Sequence, residues 1–160
     1  MPADAVFHQA AALCLTRPDE DLVARLPLLR EAAPQLREFT DHAAVTPLGE
    51  LAAHYERVFG GGDRHRLCLA WGREGDGAAL GRFRELYRAH GLELGERERP
   101  DLLPAVLEFT ARTGDPAPLA EHHEALNRLR AHLTDLDTPY ACVLTAICAT
   151  LPPRGERDHP

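Results

Sequence analysis

Apolar positions along this chain recur at spacings of three and four, the period of a helix with one buried face. Val6, Phe7, Ala10, Leu13 and Cys14 predict a helix over about 4–15. A second begins near Asp19, with Leu22, Val23, Leu26 and Leu29 as its stripe. Its acidic run Asp19-Glu20-Asp21 suits a helix N-terminus, and Pro27 is expected to kink it or end it early. A short helix from Gln35 buries Leu36 and Phe39. The clearest pattern is Leu48, Leu51, Ala52, Tyr55, Val58 and Phe59, with Thr46 as expected cap, Pro47 in the first position and Gly60-Gly61-Gly62 as the stop.

The run Leu67-Cys68-Leu69-Ala70-Trp71 is too short to assign; strand and helical turn both stay open. A helix over about 77–90 turns Leu80, Phe83, Leu86 and Tyr87 inward and ends at Gly91. Another covers about 102–112 and ends at Gly114. Asp115-Pro116 opens a long helix with Leu119, His122, Leu126, Leu129, Leu133 and Leu136 on one stripe. Thr138-Pro139 opens the last, with Tyr140, Val143, Leu144, Ile147 and Leu151 inward and Pro152-Pro153 as its end. No period-two strand appears. The pattern predicts an all-α single-domain helical bundle of about seven or eight helices over 1–153, with a disordered tail over 154–160.

Composition narrows the chemistry. The 160 residues carry 25 acids against 18 bases, a formal net charge of −7, which argues against nucleic acid as a partner. All the bases are arginine and the chain has no serine, so lysine and serine chemistry are excluded. Cys14, Cys68, Cys142 and Cys148 form no C-x-x-C pair and read as small core residues of a reducing compartment. No signal peptide and no membrane-length apolar run is found, so a cytoplasmic protein without direct membrane insertion is expected.

Metal ligation is the first chemistry to weigh. His65 and Cys68 are spaced H-x-x-C, and His122, His123 and His132 lie along one predicted helix. Neither a C-x-x-C nor an H-E-x-x-H motif accompanies them, so a metal-dependent hydrolase stands only as an alternative, and no metal or cofactor is assigned. Gly75-Asp76-Gly77 with Gly81 superficially resembles a dinucleotide loop, but its glycine spacing is displaced and Asp76 would repel a phosphate. No residue is assigned a catalytic role. Recognition remains. Pro100 to Phe109 places two prolines and Asp101 at a helix start, where an acid favours the positive end of the helix dipole. Trp71 is the only tryptophan. Together with Tyr55, Phe59, Tyr87 and Phe109 it permits an aromatic-lined groove for an apolar or basic peptide helix, though each aromatic also fits a core; a generic helical adaptor is therefore a further alternative.

These blocks, taken in order, resemble the NarJ-type chaperones, the delta subunit that assists molybdenum-cofactor assembly of respiratory nitrate reductase, within the all-helical TorD and DmsD group of maturation chaperones. Leu15 to Leu22 is similar to the family's opening L-x-Y-P-D-E-x-L, and Thr46 to Phe59 to its T-P-L-x-E-L helix. His65 to Asp76 is similar to H-x-L-Y-L-T-Y-x-x-x-G-D, Arg82 to Tyr87 to L-x-x-L-K-x-x-Y, and Pro100 to Phe109 to L-P-D-H-L-P-L-V-L-E-F. Thr138 to Pro152 resembles the closing helix. Departures are Gly60 where an aspartate is expected, Leu102 in place of the histidine, and Gly77-Ala78-Ala79 in place of a basic cluster.

The resemblance implies a non-enzymatic chaperone that binds the N-terminal segment of the apo catalytic (alpha) subunit. It would keep that subunit competent for molybdenum-cofactor and iron–sulfur insertion before membrane docking. Tyr55, Phe59, Trp71, Tyr87, Pro104 and Phe109 are its candidate apolar contacts, and Asp76, Asp101 and Glu108 its attractors for a basic leader. Asp101 is the residue expected to face that leader. For Phe59 and Phe109 core packing stays equally open, and Leu107 reads as core. Monomer and dimer are both allowed.

Overall fold

The computed structural model describes residues 3–71, 76–95 and 99–151; Pro152–Pro153 and the tail 154–160 lie outside the described residues, as do positions 72–75 of the glycine-rich loop. Among the described residues there are nine α-helices and no strand. They run α1 Ala3–Cys14, α2 Glu20–Ala32, α3 Arg37–Val45, α4 Leu48–Phe59, α5 Asp76–Ala89, α6 Leu103–Thr113, α7 Ala117–Ala120, α8 His123–Asp135 and α9 Tyr140–Ala149. Two 3-10 turns, Pro34–Leu36 and Gly61–Leu67, join α2 to α3 and follow α4.

α1 lies along α6, and its inward side explains how closely it can do so. Ala10, Ala11, Ala12 and Cys14 are all buried, and small side chains let helix axes approach. α6 answers with Leu103, Val106 and Leu107, all fully buried. α8 packs on α9 through Leu126, Leu129 and Leu133 against a helix that buries Val143, Leu144 and Ile147.

Two aromatic clusters tie the helices together. Tyr140 of α9 has Phe39 at 5.0 Å, Phe59 at 5.0 Å, His54 at 5.7 Å and Tyr55 at 6.0 Å between ring centroids. That set joins α3, α4 and α9. Phe83 and Tyr87 of α5 meet His122 at 5.0 Å and Phe109 at 5.1 Å, joining α5 to α6 and to the α7–α8 corner. Aromatic pairs at these separations stabilise by about 0.5–1.5 kcal/mol each beyond the area they bury.

Several ends differ from the sequence expectation. Asp19 does cap α2, its Oδ1 accepting from the Leu22 N–H at 2.8 Å. Pro27, however, sits inside α2, which continues to Ala32. Both Pro27 and the preceding-turn residue Val23 are exposed, so the ring and the lost helix hydrogen bond fall on the surface side of α2. Thr46 does not cap α4; its hydroxyl donates back to the His42 carbonyl at 2.6 Å and so closes α3. The long helix expected from Asp115 is broken into α7 and α8 at His122, whose buried ring lies on Phe83 with Nδ1 2.9 Å from the Pro118 carbonyl oxygen. That break raises the helix count above the expected seven or eight. Gly114 ends α6 as expected, at φ 76, where a side chain would be strained.

Candidate functional site

The start of α6 positions the site. Its N-cap is Leu102, with no side-chain cap, and Pro104 is buried in the first turn. Asp101 does not turn toward the helix. Its side chain is 0% exposed and points at the segment that sequence alone left unassigned. Asp101 Oδ2 accepts from the Ala70 N–H at 2.8 Å, and its backbone carbonyl accepts from the Leu69 N–H at 3.0 Å. Cys68 and Leu102 form an isolated antiparallel bridge beside these bonds. Residues 68–71 are therefore neither strand nor helix but a short extended turn pinned to the head of α6.

Arg99 completes the pin. Its Nε donates to Asp101 Oδ1 at 2.9 Å and its Nη2 to Oδ2 at 2.8 Å, a two-pronged pair that neutralises the buried carboxylate. The same guanidinium lies 5.1 Å from the centre of the Trp71 ring. Trp71 is 51% exposed, and the His65 ring stacks on it at 5.2 Å. Beneath this group lies a cleft of about 150 Å³ lined by His65, Arg66, Cys68, Leu69 and Trp71 from one side, and by Ala125, Arg128 and Leu129 of α8 from the other.

The other residues named from sequence fall into different environments. Phe59, Tyr87 and Phe109 are buried core. The Tyr87 hydroxyl donates to the Pro100 carbonyl at 2.6 Å, which holds the turn before Asp101. Tyr55 is half-buried and donates to the Leu15 carbonyl at 3.2 Å. Glu108 is exposed on α6. Asp76 begins α5, and its side chain lies outside the described residues. The structure thus brings Asp101 and Tyr87 together at the turn before α6, with Pro104 buried in that helix's first turn. Trp71 is set on the surface, and Tyr55 and Phe59 pack around Tyr140. Asp101, the expected contact for a basic leader, spends both carboxylate oxygens inside the protein.

Sequence reasoning did not find Arg99, nor the α8 wall. Arg99 stands two residues before Asp101, a spacing that gives a usable hint. Ala125, Arg128 and Leu129 carry no local signal, because only tertiary packing brings α8 to this turn.

Among the described residues the thiols and histidines are not arranged as a reactive centre. Burial, with the Asp101 carboxylate nearby, pushes the Cys68 thiol up, which disfavours the nucleophilic thiolate. Burial drives Cys14 up to about 12. Among the described residues no group of three or more His, Cys, Asp or Glu side chains converges as metal ligands would. His65 is instead a stacking partner of Trp71, and His123 is 3.1 Å from the Asn127 amide. No helix of the described residues is long and apolar enough to cross a membrane.

A family model described as nitrate reductase delta subunit matches residues 26–146, well over half of the chain. The chain belongs to that family. The matched region includes the whole joint from His65 to Phe109 and the α8 wall. Among curated relatives, the probable nitrate reductase molybdenum cofactor assembly chaperone NarJ of Bacillus subtilis is 29% identical, over 96% of this chain and 92% of its own length. The nitrate reductase-like protein NarX of Mycobacterium tuberculosis is 30% identical over 94% of this chain, which spans 25% of that longer protein. The family's all-helical architecture and the fold described above agree, and the relative matched nearly end to end is named for assembly rather than for catalysis.

Proposed function

We propose that this protein is a non-enzymatic chaperone for assembly of a nitrate reductase. It binds the N-terminal segment of the apo catalytic subunit and holds that subunit competent for molybdenum-cofactor and iron–sulfur insertion before membrane docking. The observation that carries the reading is the match with the Bacillus subtilis assembly chaperone across nearly all of both chains. The arrangement of the site supports it. An aromatic ring held on the surface by two neighbours suits binding, while thiols pushed away from the thiolate and scattered histidines do not suit catalysis.

Within this reading the buried members of the sequence-derived set act by shaping the surface. Asp101 holds the 68–71 turn, Tyr87 fixes the Pro100 carbonyl just before Asp101, Pro104 is buried in the first turn of α6, and Trp71 meets the client. Glu108, exposed on α6, remains available for a basic group of the leader.

The test is capture of a tagged apo catalytic subunit by the purified chain, with and without the subunit's N-terminal segment. Capture that needs the segment is expected. Equal capture of the truncated subunit would remove the N-terminal segment from the proposal, and no capture of either would remove the client.

A further inference from the structure

Among the described residues, the charged side chains that line the cleft beside Trp71 are opposite in sign to the net charge of the whole molecule. The chain carries a net −7, yet among the described residues lining the cleft every charged side chain is an arginine, Arg66 and Arg128. The Asp101 carboxylate behind the same turn is fully buried and bonded to Arg99 and to the Ala70 N–H, so it presents no negative charge to a visitor. The floor is apolar: Leu69 and Leu129 are both buried, and Ala125 packs beside them.

Size decides what fits. Sites for cofactors and drug-sized ligands run to about 300–1,000 Å³. This cleft holds about 150 Å³, room for one apolar side chain and not for a nucleotide or a pterin. The Trp71 ring is already positioned by His65 and by the Arg99 guanidinium, so a contact made on it loses little side-chain freedom.

Resting on the chaperone reading, we infer that this cleft seats a single apolar side chain of a client segment whose neighbouring residue is a carboxylate, the apolar group between Trp71 and Leu129 and the carboxylate against Arg128. The occupant is a peptide of mixed character: acidic where it meets the cleft, whatever the charge of its remainder. Overall charge steers the encounter, and the local guanidinium groups select the register.

Trp71 is the sole tryptophan, so its fluorescence reports the cleft directly. The probes are three capped five-residue peptides with a central phenylalanine flanked by two aspartates, two asparagines or two arginines. The aspartate peptide is expected to shift Trp71 emission saturably, to weaken with added salt, and to bind about tenfold more tightly than the arginine peptide. Arg128→Glu, an exposed position, should leave the melting temperature unchanged and reverse that order. Equal or tighter binding of the arginine peptide, an unreversed order in the variant, or no saturable shift up to about 1 mM peptide overturns the assignment. The capture experiment on the apo catalytic subunit separates the two levels. Capture without peptide selectivity rejects the cleft chemistry alone, whereas failed capture by the unmodified chain rejects the chaperone reading.

Discussion

Arg99 connects a buried carboxylate to an exposed ring, and both depend on it. Its two N–H donors satisfy Asp101, which burial would otherwise leave as an unpaired charge, and its face lies against Trp71. From sequence, Asp101 read as a surface acid at a helix start; in the structure it is a joint between α6 and the 68–71 turn. The reason is that a short acidic side chain can satisfy backbone N–H groups of any nearby segment, and the sequence does not say which segment folds against it. Asp101→Asn keeps the size and one acceptor but loses the ion pair with Arg99. It is expected to destabilise the domain by about 1–3 kcal/mol in urea unfolding. Client capture should weaken along with that loss of stability, because the turn that presents Trp71 loosens. Weakened capture with an unchanged unfolding curve would make Asp101 a contact residue after all.

At the scale of elements, the hydrophobic period located every helix except the break at His122, and it missed how several of them end. Local rules favoured a cap at Thr46, but the hydroxyl found the His42 carbonyl one turn back, a competition open to any threonine between two helices. Pro27 shows the same limit from the other side. α2 passes through it because Leu22, Leu26 and Leu29 bury one face and outweigh the lost bond. Pro27→Ala restores an N–H donor for the Val23 carbonyl at an exposed position. The variant should melt higher, by up to about 3 kcal/mol of added stability. At the size of this chain each kcal/mol corresponds to about 2–4 °C. A lower melting temperature would mean that the ring itself is needed where it stands.

For the whole molecule, two histidines make folding sensitive to acid. Burial lowers the pKa of His8, and its Nε2 has no hydrogen-bond partner among the described residues. Burial, then the nearby Arg57 and His42, lowers that of His54, which sits 2.7 Å from the Thr138 hydroxyl and stacks on Tyr140. Both shifts favour the neutral ring in the fold, so below the ordinary value of 6.5 the unfolded chain binds more protons than the folded one. The stability they contribute is complete above that value and is lost as pH falls through the window beneath it. Thermal melts from about pH 7.5 down to about pH 5 should show a falling transition temperature. The double variant His8→Gln, His54→Gln should show a flatter profile, and a parent profile already flat over that range would reject the role of both rings.

The sequence by itself determined the helical class, the positions of most helices, the apolar faces and, through the order of its blocks, the family. These follow from period and composition, which are local properties repeated along the chain. Only the tertiary structure decided which acids and aromatics reach the surface. Asp101 is buried because Ala70 and Arg99 close on it, and Trp71 is presented because the turn before it is bonded to the head of α6. The basic lining of the cleft comes from Arg66 and Arg128, brought together by the packing of α8 from opposite ends of the chain's middle. Charge in sequence is a sum over the molecule, whereas a binding site feels only the few groups within a Debye length, and those neighbours are chosen by the fold.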